Sequence, residues 1–492
     1  MILSIDQGTT GTTAFVFDTS GRLIGRSYSE FPQYYPRPGW VEHDAEEIWQ
    51  VTLRVCAAAL QRAAVSPADI SAIGITNQRE TAVLWDRETG EPVYRAIVWQ
   101  CRRSAAICDQ LRAAGKADWI RRKTGLVLDA YFSASKLQWL FREDPNLQRR
   151  AQAGELCFGT IDSWLIWKMS GGRAHLTDHS NACRTLLYDI DNHTWDPELL
   201  ALFDCPAAML PEIQNSAGHF ALTDPAVFLG AAVPIAGVAG DQQAALFGQG
   251  CVHPGTVKNT YGTGCFMLAL AGAARPDTPE GLLTTVACDH RGQPAYAIEG
   301  SVFNGGAAVQ WLRDDLGLIQ QAADSEQIAH SVPDTRGVYM VPAFSGLGAP
   351  HWDAQARGSI FGLTRGAGRA EIVRATLESI AYQSHELAEL MGDALGMRLP
   401  CLRVDGGASA NNFLMQFQAD ITSLRVERPR QIESTAVGAA LLAGLGSGIW
   451  QPDALPESLR EIEQDFLPQM SADRRATLLS GWSRAVAACR SF

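Results

Sequence analysis

The sequence predicts two α/β domains facing each other across a cleft. Three observations carry that prediction. The chain has 492 residues, enough at about 150 residues per domain for two to four folding units. Short apolar strand patterns alternate with amphipathic helix patterns. The second half also opens as the first does, with a hairpin tipped by glycine and threonine.

In the first half, Ile2-Leu3-Ser4-Ile5 and Ala14-Phe15-Val16-Phe17 flank a Gly/Thr turn and read as a hairpin with a long tip. Leu23 to Phe31 reads as a third strand. Asp44 opens a helix in a capping-box arrangement with Glu47, followed by apolar Ile48, Val51, Leu53, Val55 and Leu60. Ile70 to Thr76 and Thr81 to Trp85 are strands, ahead of a turn at Asp86 to Gly90.

In the second half, Lys258 to Leu270 reads as strand, turn, strand with Gly262-Thr263-Gly264 at the tip. Leu282 to Ala287 and Ala295 to Glu299 read as strands, and Ala307 to Asp315 as a helix. Val373, Leu377, Ile380, Leu387 and Met391 mark one face of a long helix over 370–391. Leu402 to Val404 is a strand running into Asp405-Gly406-Gly407, and Asn412 to Ile421 a helix. The repeat is one of pattern, not identity. The Gly-rich, Pro-containing stretch Gly248 to Gly255 marks the boundary, as a flexible linker between 1–248 and 249–492.

Composition narrows the function classes. Hydrophobic residues at 46% and charged ones at 19% describe a globular chain. A net charge of −12 argues against nucleic-acid binding but permits a local pocket for an anion. The uncharged stretch Ala226 to Gly240 is about 15 residues and holds Pro234; a membrane span needs about 20. The N-terminus lacks a basic region before an apolar stretch, so no signal peptide is expected. Eleven irregularly spaced cysteines without a Cys-x-x-Cys pair point to inert thiols in a reducing cytoplasm.

Three loops share a chemistry suited to phosphate. They are Asp6-Gln7-Gly8-Thr9-Thr10-Gly11-Thr12-Thr13, Tyr261-Gly262-Thr263-Gly264, and Asp405-Gly406-Gly407-Ala408 followed by Asn411-Asn412. Glycine lets backbone N–H groups approach an anion, threonine hydroxyls add donors, and a strand-end aspartate can hold hydrated Mg²⁺ against phosphate oxygens. One such loop is weak evidence, since Gly/Thr turns cap most hairpins; three in order along two similar halves are stronger. No P-loop motif, no His-Arg-Asp or Asp-Phe-Gly, and no Gly-x-Gly-x-x-Gly after the first strand occurs. A second set gathers polar groups beside aromatics: Thr76 to Glu80, Trp99-Gln100, Tyr131, and Gly240 to Gln243. An Arg/Glu pair and a flat ring suit a small polyol, although such a pair is more often a surface ion pair and a lone tryptophan more often core. Asp241 also suits the N-cap of a helix over Gln242 to Phe247.

These pieces together resemble the FGGY carbohydrate kinases, and within them the members that phosphorylate glycerol. The matching segments are Asp6 to Thr10, Asn77 to Thr81, Ile97 to Arg103, Gly240 to Gly248, Lys258 to Phe266 and Arg403 to Gly407. Tyr131 to Glu143, with Lys136 and Trp139, and Gly358 to Glu378 resemble the two family signatures. The resemblance runs from Ile2 to about Trp450. It implies two ribonuclease H-like domains of the actin/Hsp70/hexokinase type, the first mainly for substrate and the second mainly for nucleotide. It implies ATP- and Mg²⁺-dependent phosphorylation of glycerol to sn-glycerol 3-phosphate, in glycerol uptake and catabolism, by a cytoplasmic homo-oligomer (dimer or tetramer).

By the same resemblance, Arg79, Glu80, Tyr131, Asp241 and Gln242 would bind the glycerol hydroxyls, and Trp99 and Phe266 would face its carbon edge. Thr9, Thr10, Gly11, Thr13, Thr263, Gly306, Gln310, Gly407 and Asn411 would hold the nucleotide. Asp6 and Asp241 would hold the metal through water, and Asp241 would be the general base. The chain departs from the family at three places. Thr13 stands where many relatives carry an arginine near the phosphates. The loop from Leu222 to Val233 has no Arg or Lys, where some bacterial relatives bind inhibitory fructose 1,6-bisphosphate through a loop ending in Arg. The tail after Trp450 also differs. Two other readings stand beside this one: an FGGY kinase for another polyol or ketopentose, and a non-catalytic ATP-binding clamp of the actin/Hsp70 type.

Overall fold

A computed structural model describes residues 1–353 and 355–492. Two large sheets organise the chain. The first contains β1 (Ile2–Gln7), β2 (Gly11–Phe17), β3 (Leu23–Glu30), β4 (Ala72–Asn77), β5 (Ala217–Leu222) and β6 (Pro234–Gly240), in the order β5-β6-β4-β1-β2-β3. The second contains β7 (Val257–Tyr261), β8 (Cys265–Gly272), β9 (Leu283–Cys288), β10 (Pro294–Val302), β11 (Leu402–Asp405), β12 (Val426–Pro429) and β13 (Ile462–Phe466). Its order is β9-β10-β8-β7-β11-β12-β13.

The two sheets share one plan. In the first, β1, β2 and β3 pair antiparallel in sequence, while β1, β4 and β6 run parallel. In the second, β7, β8 and β10 pair antiparallel, while β7, β11 and β12 run parallel. Edge strands β5, β9 and β13 are additions to that common core. The repeat read from the sequence is therefore a repeat of topology.

Strand alternation explains how the first sheet is covered. Leu3, Ile5, Ala14 and Val16 pack with Ile48, Val51 and Val55 of α1 (Ala45–Ala63). The intervening Ile2, Phe15 and Phe17 pack with Ala436, Val437 and Ala440 of α6 (Ser434–Gly446). Both faces are dry, so these strands read as continuous apolar runs. A helix from late in the chain thus covers the back of the first sheet. It lies very close: a Cβ at Gly74 or Gly237 would collide with the backbone of Ala439 or of Leu442 and Ala443.

Four further helices position the site: α2 (Asp241–Gly248), α3 (Gly306–Asp314), α4 (Arg369–Leu395) and α5 (Asn412–Thr422). All start and end within a few residues of the sequence reading. Two expectations need correction. Asp44 does cap α1, its Oδ1 accepting from Glu46 N at 2.9 Å and Glu47 N at 3.2 Å. Glu47, however, accepts from the Tyr34 hydroxyl at 2.8 Å, so a tertiary partner takes the side chain expected to complete the box. The boundary stretch is also no free linker at its start. Gln249 is buried, and its Nε2 donates to Val404 O, Asp405 Oδ2 and Ser434 Oγ at 3.1, 3.2 and 2.9 Å. Arg403 Nη1 in turn donates to the carbonyls of Gln249 and Gly250. All eleven cysteines are buried free thiols, and among the described residues no helix is long and apolar enough to cross a membrane.

Candidate active site

In open α/β sheets, ligands meet the chain beyond the carboxyl ends of parallel strands. Several of the candidate residues lie at or beside such an end. Asp6 is near the end of β1, Arg79 and Glu80 follow β4, and Asp241 follows β6. Gly262 follows β7 and Gly406 follows β11.

The acceptor set is built around buried charge. Arg79 and Glu80 are 3% and 1% exposed, so the surface-pair reading is wrong for them. The Arg79 Nη1 and Nη2 groups donate to Glu299 Oε2 and Oε1 at 2.6 and 3.0 Å, and Nη1 also reaches Gln243 Oε1 at 3.1 Å. Its Nε lies 3.3 Å from Asp241 Oδ1 and 3.7 Å from Glu80 Oε1. Arg184 Nε donates to Glu80 Oε1 at 2.6 Å, and its Nη2 to Glu299 Oε1 at 3.1 Å. Burial alone would raise Glu299; Arg184 and Arg79 override it and hold its carboxyl down at about 2.

Asp241 is not the N-cap expected from sequence but the first residue of α2; Gly240 is the cap, with no side-chain cap hydrogen bond. Its side chain is 30% exposed, unlike the other carboxylates around Arg79. Gln242 N donates to Oδ1 at 2.7 Å. With Arg79 also on Oδ1, Oδ2 is left for a ligand. Burial raises its pKa against the pull of Arg79, the Gln242 N–H and Lys258, and Glu299 adds to the rise. Gln242 is buried, and its Oε1 accepts from Lys258 Nζ at 2.5 Å. That ammonium also donates to Thr260 Oγ1 at 2.8 Å and to Phe266 O at 3.3 Å. Lys258 therefore ties Gln242 to the strand that carries Phe266 and leaves the Gln242 NH₂ free to donate.

The aromatic wall is joined to the first phosphate loop. Trp99 and Tyr131 meet edge to face, with centroids 5.5 Å apart. Lys136 Nζ donates to the carbonyls of Ala130, Tyr131 and Phe132 at 2.6, 2.6 and 3.0 Å, which fixes the turn carrying Tyr131. Trp99 Nε1 donates to Thr9 Oγ1 at 2.9 Å. A hydroxyl that accepts one hydrogen bond can still donate its own, so Thr9 remains able to meet a phosphate oxygen.

The loops themselves are tight. Gly8 N–H closes the first tip onto Gly11 O at 2.9 Å. Gly11 is crowded: a Cβ there would lie 2.7 Å from Ser29 O and from the Tyr28 ring, so packing alone demands glycine. Thr13 pairs across the sheet with Asp6 on one side and Tyr28 on the other. In the second half, Thr263 O accepts from Gly305 N and Ala307 N at 2.9 and 3.0 Å, and Gly262 O accepts from Gly306 N at 2.8 Å. This seats the second tip on the start of α3. Gly406, at φ 82°, lies over the Tyr261 backbone, where a Cβ would sit 2.7 Å from its carbonyl oxygen. Gly407 beside it is exposed and open. Asn411 caps α5, accepting from Leu414 N at 2.9 Å and donating to Ser325 Oγ at 3.2 Å. Among the described residues, no side-chain hydrogen bond ties Thr10, Thr13 or Gln310 to the rest.

Asp6 faces the junction of the halves. Burial pushes its pKa up to about 7 against a hydrogen bond with Thr435, and the Asp241 and Glu433 carboxylates add to the rise. Among the described residues no cluster of three His, Cys, Asp or Glu forms a metal cage. Two neighbouring carboxylates beside the Gly/Thr loops fit Mg²⁺, which keeps waters and phosphate oxygens as ligands.

Comparison with known proteins decides the family. Residues 1–248 match the N-terminal domain of the FGGY family of carbohydrate kinases, and residues 257–447 its C-terminal domain. The chain belongs to the FGGY family of carbohydrate kinases. Among curated relatives, a glycerol kinase of Carboxydothermus hydrogenoformans is 54% identical over 491 residues, covering 100% of this chain and 98% of that one. A glycerol kinase of Symbiobacterium thermophilum is 56% identical with the same coverage. Among solved structures, Plasmodium falciparum glycerol kinase with ADP superposes at a TM-score of 0.92 and 36% identity, over 99% of this chain and 98% of that one. Rhodospirillum rubrum xylulose kinase, at 22% identity, matches in fold at a TM-score of 0.88, over 100% and 99% of the two chains.

As an FGGY kinase, the chain is an ATP-dependent phosphotransferase of two-domain α/β fold. Three polar residues in this site were not singled out from sequence: Lys258, Arg184 and Glu299. Glu299 carried a signal, a lone charge inside the apolar strand pattern Pro294 to Val302, and Lys258 lay inside a predicted strand. Arg184 had none.

Proposed function

We propose that this FGGY kinase transfers the γ-phosphoryl group of ATP to a terminal hydroxyl of glycerol, giving sn-glycerol 3-phosphate. The observation that carries the reading is identity of 54% and 56%, over the whole chain, with two proteins named glycerol kinase. The site geometry is consistent with it. Trp99 and Tyr131 form an apolar edge, and Arg79, Glu80, Asp241 and Gln242 offer donors and acceptors on the other side. A three-carbon triol has both kinds of face.

Asp241 is the base in this reading. The attacking hydroxyl oxygen bonds to Pγ, the bond from Pγ to the β,γ-bridging oxygen breaks, and ADP leaves with that electron pair. The hydroxyl proton passes to Asp241 Oδ2, the oxygen free of Arg79 and Gln242. A carboxylate whose proton affinity is raised by burial suits that task. Thr9, Thr10, Gly11, Thr13, Thr263, Gly306, Gln310, Gly407 and Asn411 supply hydroxyl, amide and backbone groups for the nucleotide. Asp6 and Asp241 would hold Mg²⁺ through water, where it would neutralise charge on the phosphate oxygens. The aromatic wall and closure of the halves exclude water, the competing acceptor.

The product tests the reading. With Mg·ATP and glycerol, the enzyme should form a phosphate ester that a dehydrogenase specific for sn-glycerol 3-phosphate oxidises completely. Formation of the other stereoisomer, or of no glycerol phosphate, would overturn it.

A further inference from the structure

The acceptor pocket contains a residue from the far sheet. Glu299 lies on β10, which belongs to the second half, is fully buried, and holds both Nη groups of Arg79. Around it the two halves are stitched together. Thr285 Oγ1 on β9 accepts from Gln243 Nε2 at 3.2 Å and from Arg184 Nη1 at 3.5 Å. Gln243 Nε2 also donates to Val286 O at 3.2 Å, and Val286 N to Cys183 Sγ at 3.4 Å. Every residue in this seam is buried.

The chemistry of the guanidinium makes this contact consequential. Pairing with Glu299 occupies the Nη edge of Arg79, which leaves the Nε edge for Asp241. Without that partner, the Nη edge would be free to fold onto Asp241 or Glu80 and to cover oxygens that the acceptor needs. Glu80 requires a hold of its own. It sits at φ 61°, a left-handed conformation for a residue with a side chain. Arg184 Nε grips its carboxylate, and Ser133 Oγ donates to its carbonyl at 2.9 Å.

We propose that Glu299 and Arg184 are positioning residues for the acceptor pocket. Across the seam Glu299 fixes the Arg79 guanidinium, Arg184 fixes Glu80, and the pocket is thereby complete before nucleotide arrives. This inference rests on glycerol being the acceptor. It sets the Glu299 and Arg184 contacts apart from those of the phosphate loops, so losing them should weaken acceptor binding more than nucleotide binding.

The test is calorimetric titration of the full chain with glycerol in the absence of nucleotide, alongside steady-state kinetics. Wild type should bind glycerol without ATP. Glu299→Gln keeps the shape and removes the charge; its glycerol Kd and KM should rise at least about tenfold. Its KM for ATP should move less than about threefold. Glu299→Asp, which restores the charge, should recover part of the glycerol affinity. If Glu299→Gln fails to fold, Arg184→Lys decides, with a raised glycerol KM and an ATP KM near wild type expected. A glycerol Kd within about threefold of wild type in the variant, or parallel loss of glycerol and ATP affinity, would overturn the proposal. So would a wild type that binds glycerol only with nucleotide present. A wild type that takes a different polyol would overturn the choice of glycerol alone; the same titrations with that polyol would then judge Glu299.

Discussion

At the scale of one residue, the proposed base is Asp241. Its Oδ1 is spoken for by Arg79 and the Gln242 N–H, and the side chain is 30% exposed. Asp241→Asn keeps the acceptor oxygen at that site and removes the basicity. Glycerol affinity should stay within about tenfold, while kcat should fall at least about 100-fold. Steady-state kinetics against both substrates checks this; near-normal turnover would remove Asp241 from the role. The sequence made Asp241, Arg79, Glu80 and Trp99 legible because each sits in a short run of polar and aromatic residues at a strand end. It left the pairing of Glu299 with Arg79 and Arg184 illegible for a physical reason. The partners lie far apart along the chain, with Glu299 separated by 220 residues from Arg79 and by 115 from Arg184. No local spacing rule can register a pair made only by the packing of two halves.

Among elements, the contact of α6 with α2 and the first sheet is the least forgiving. A Cβ at Gly438 would run into the Ala244 carbonyl of α2, and one at Gly248 into that of Ser434 on α6. Alanine in a helix interior ordinarily gains about 1 kcal/mol over glycine. Here overpacking against immovable backbone should win, at about 1–3 kcal/mol. Gly438→Ala should therefore lower the melting temperature in calorimetry; an unchanged or higher value would show that the helices are not in such close contact. The elements themselves were readable, because the short apolar runs of β1 and β2 around a Gly/Thr turn and the 3.6-residue stripe of α4 are local patterns. The service that α6 gives to the first sheet was not. A small-residue run, Ser434 to Gly446, has no apolar stripe to reveal which sheet it covers. The capping box at Asp44 failed similarly: the local signal was right for the cap, but Tyr34 claimed Glu47.

At the scale of the molecule, the two sheets are the same device used twice, with candidate site loops at the carboxyl ends of their parallel strands. The loop from Leu222 to Val233 joins β5 to the opposite end of β6, on the edge of the first sheet. Its Asp224 pairs with Arg173 at 2.9 Å, and it carries no cation of its own. Fructose 1,6-bisphosphate at millimolar concentration should leave activity nearly unchanged in a dilute assay. Strong inhibition there would show a regulatory site that the loop's composition does not reveal.

Acceptor choice tests the account most directly. A coupled ADP-release assay with Mg·ATP would compare glycerol with dihydroxyacetone, erythritol, xylulose, ribulose and no acceptor. The account predicts that glycerol gives by far the highest kcat/KM, with little ADP release when no acceptor is added. A higher kcat/KM for a ketopentose would contradict the assignment of Trp99, Phe266 and the Arg79–Glu80–Asp241 set to a three-carbon triol.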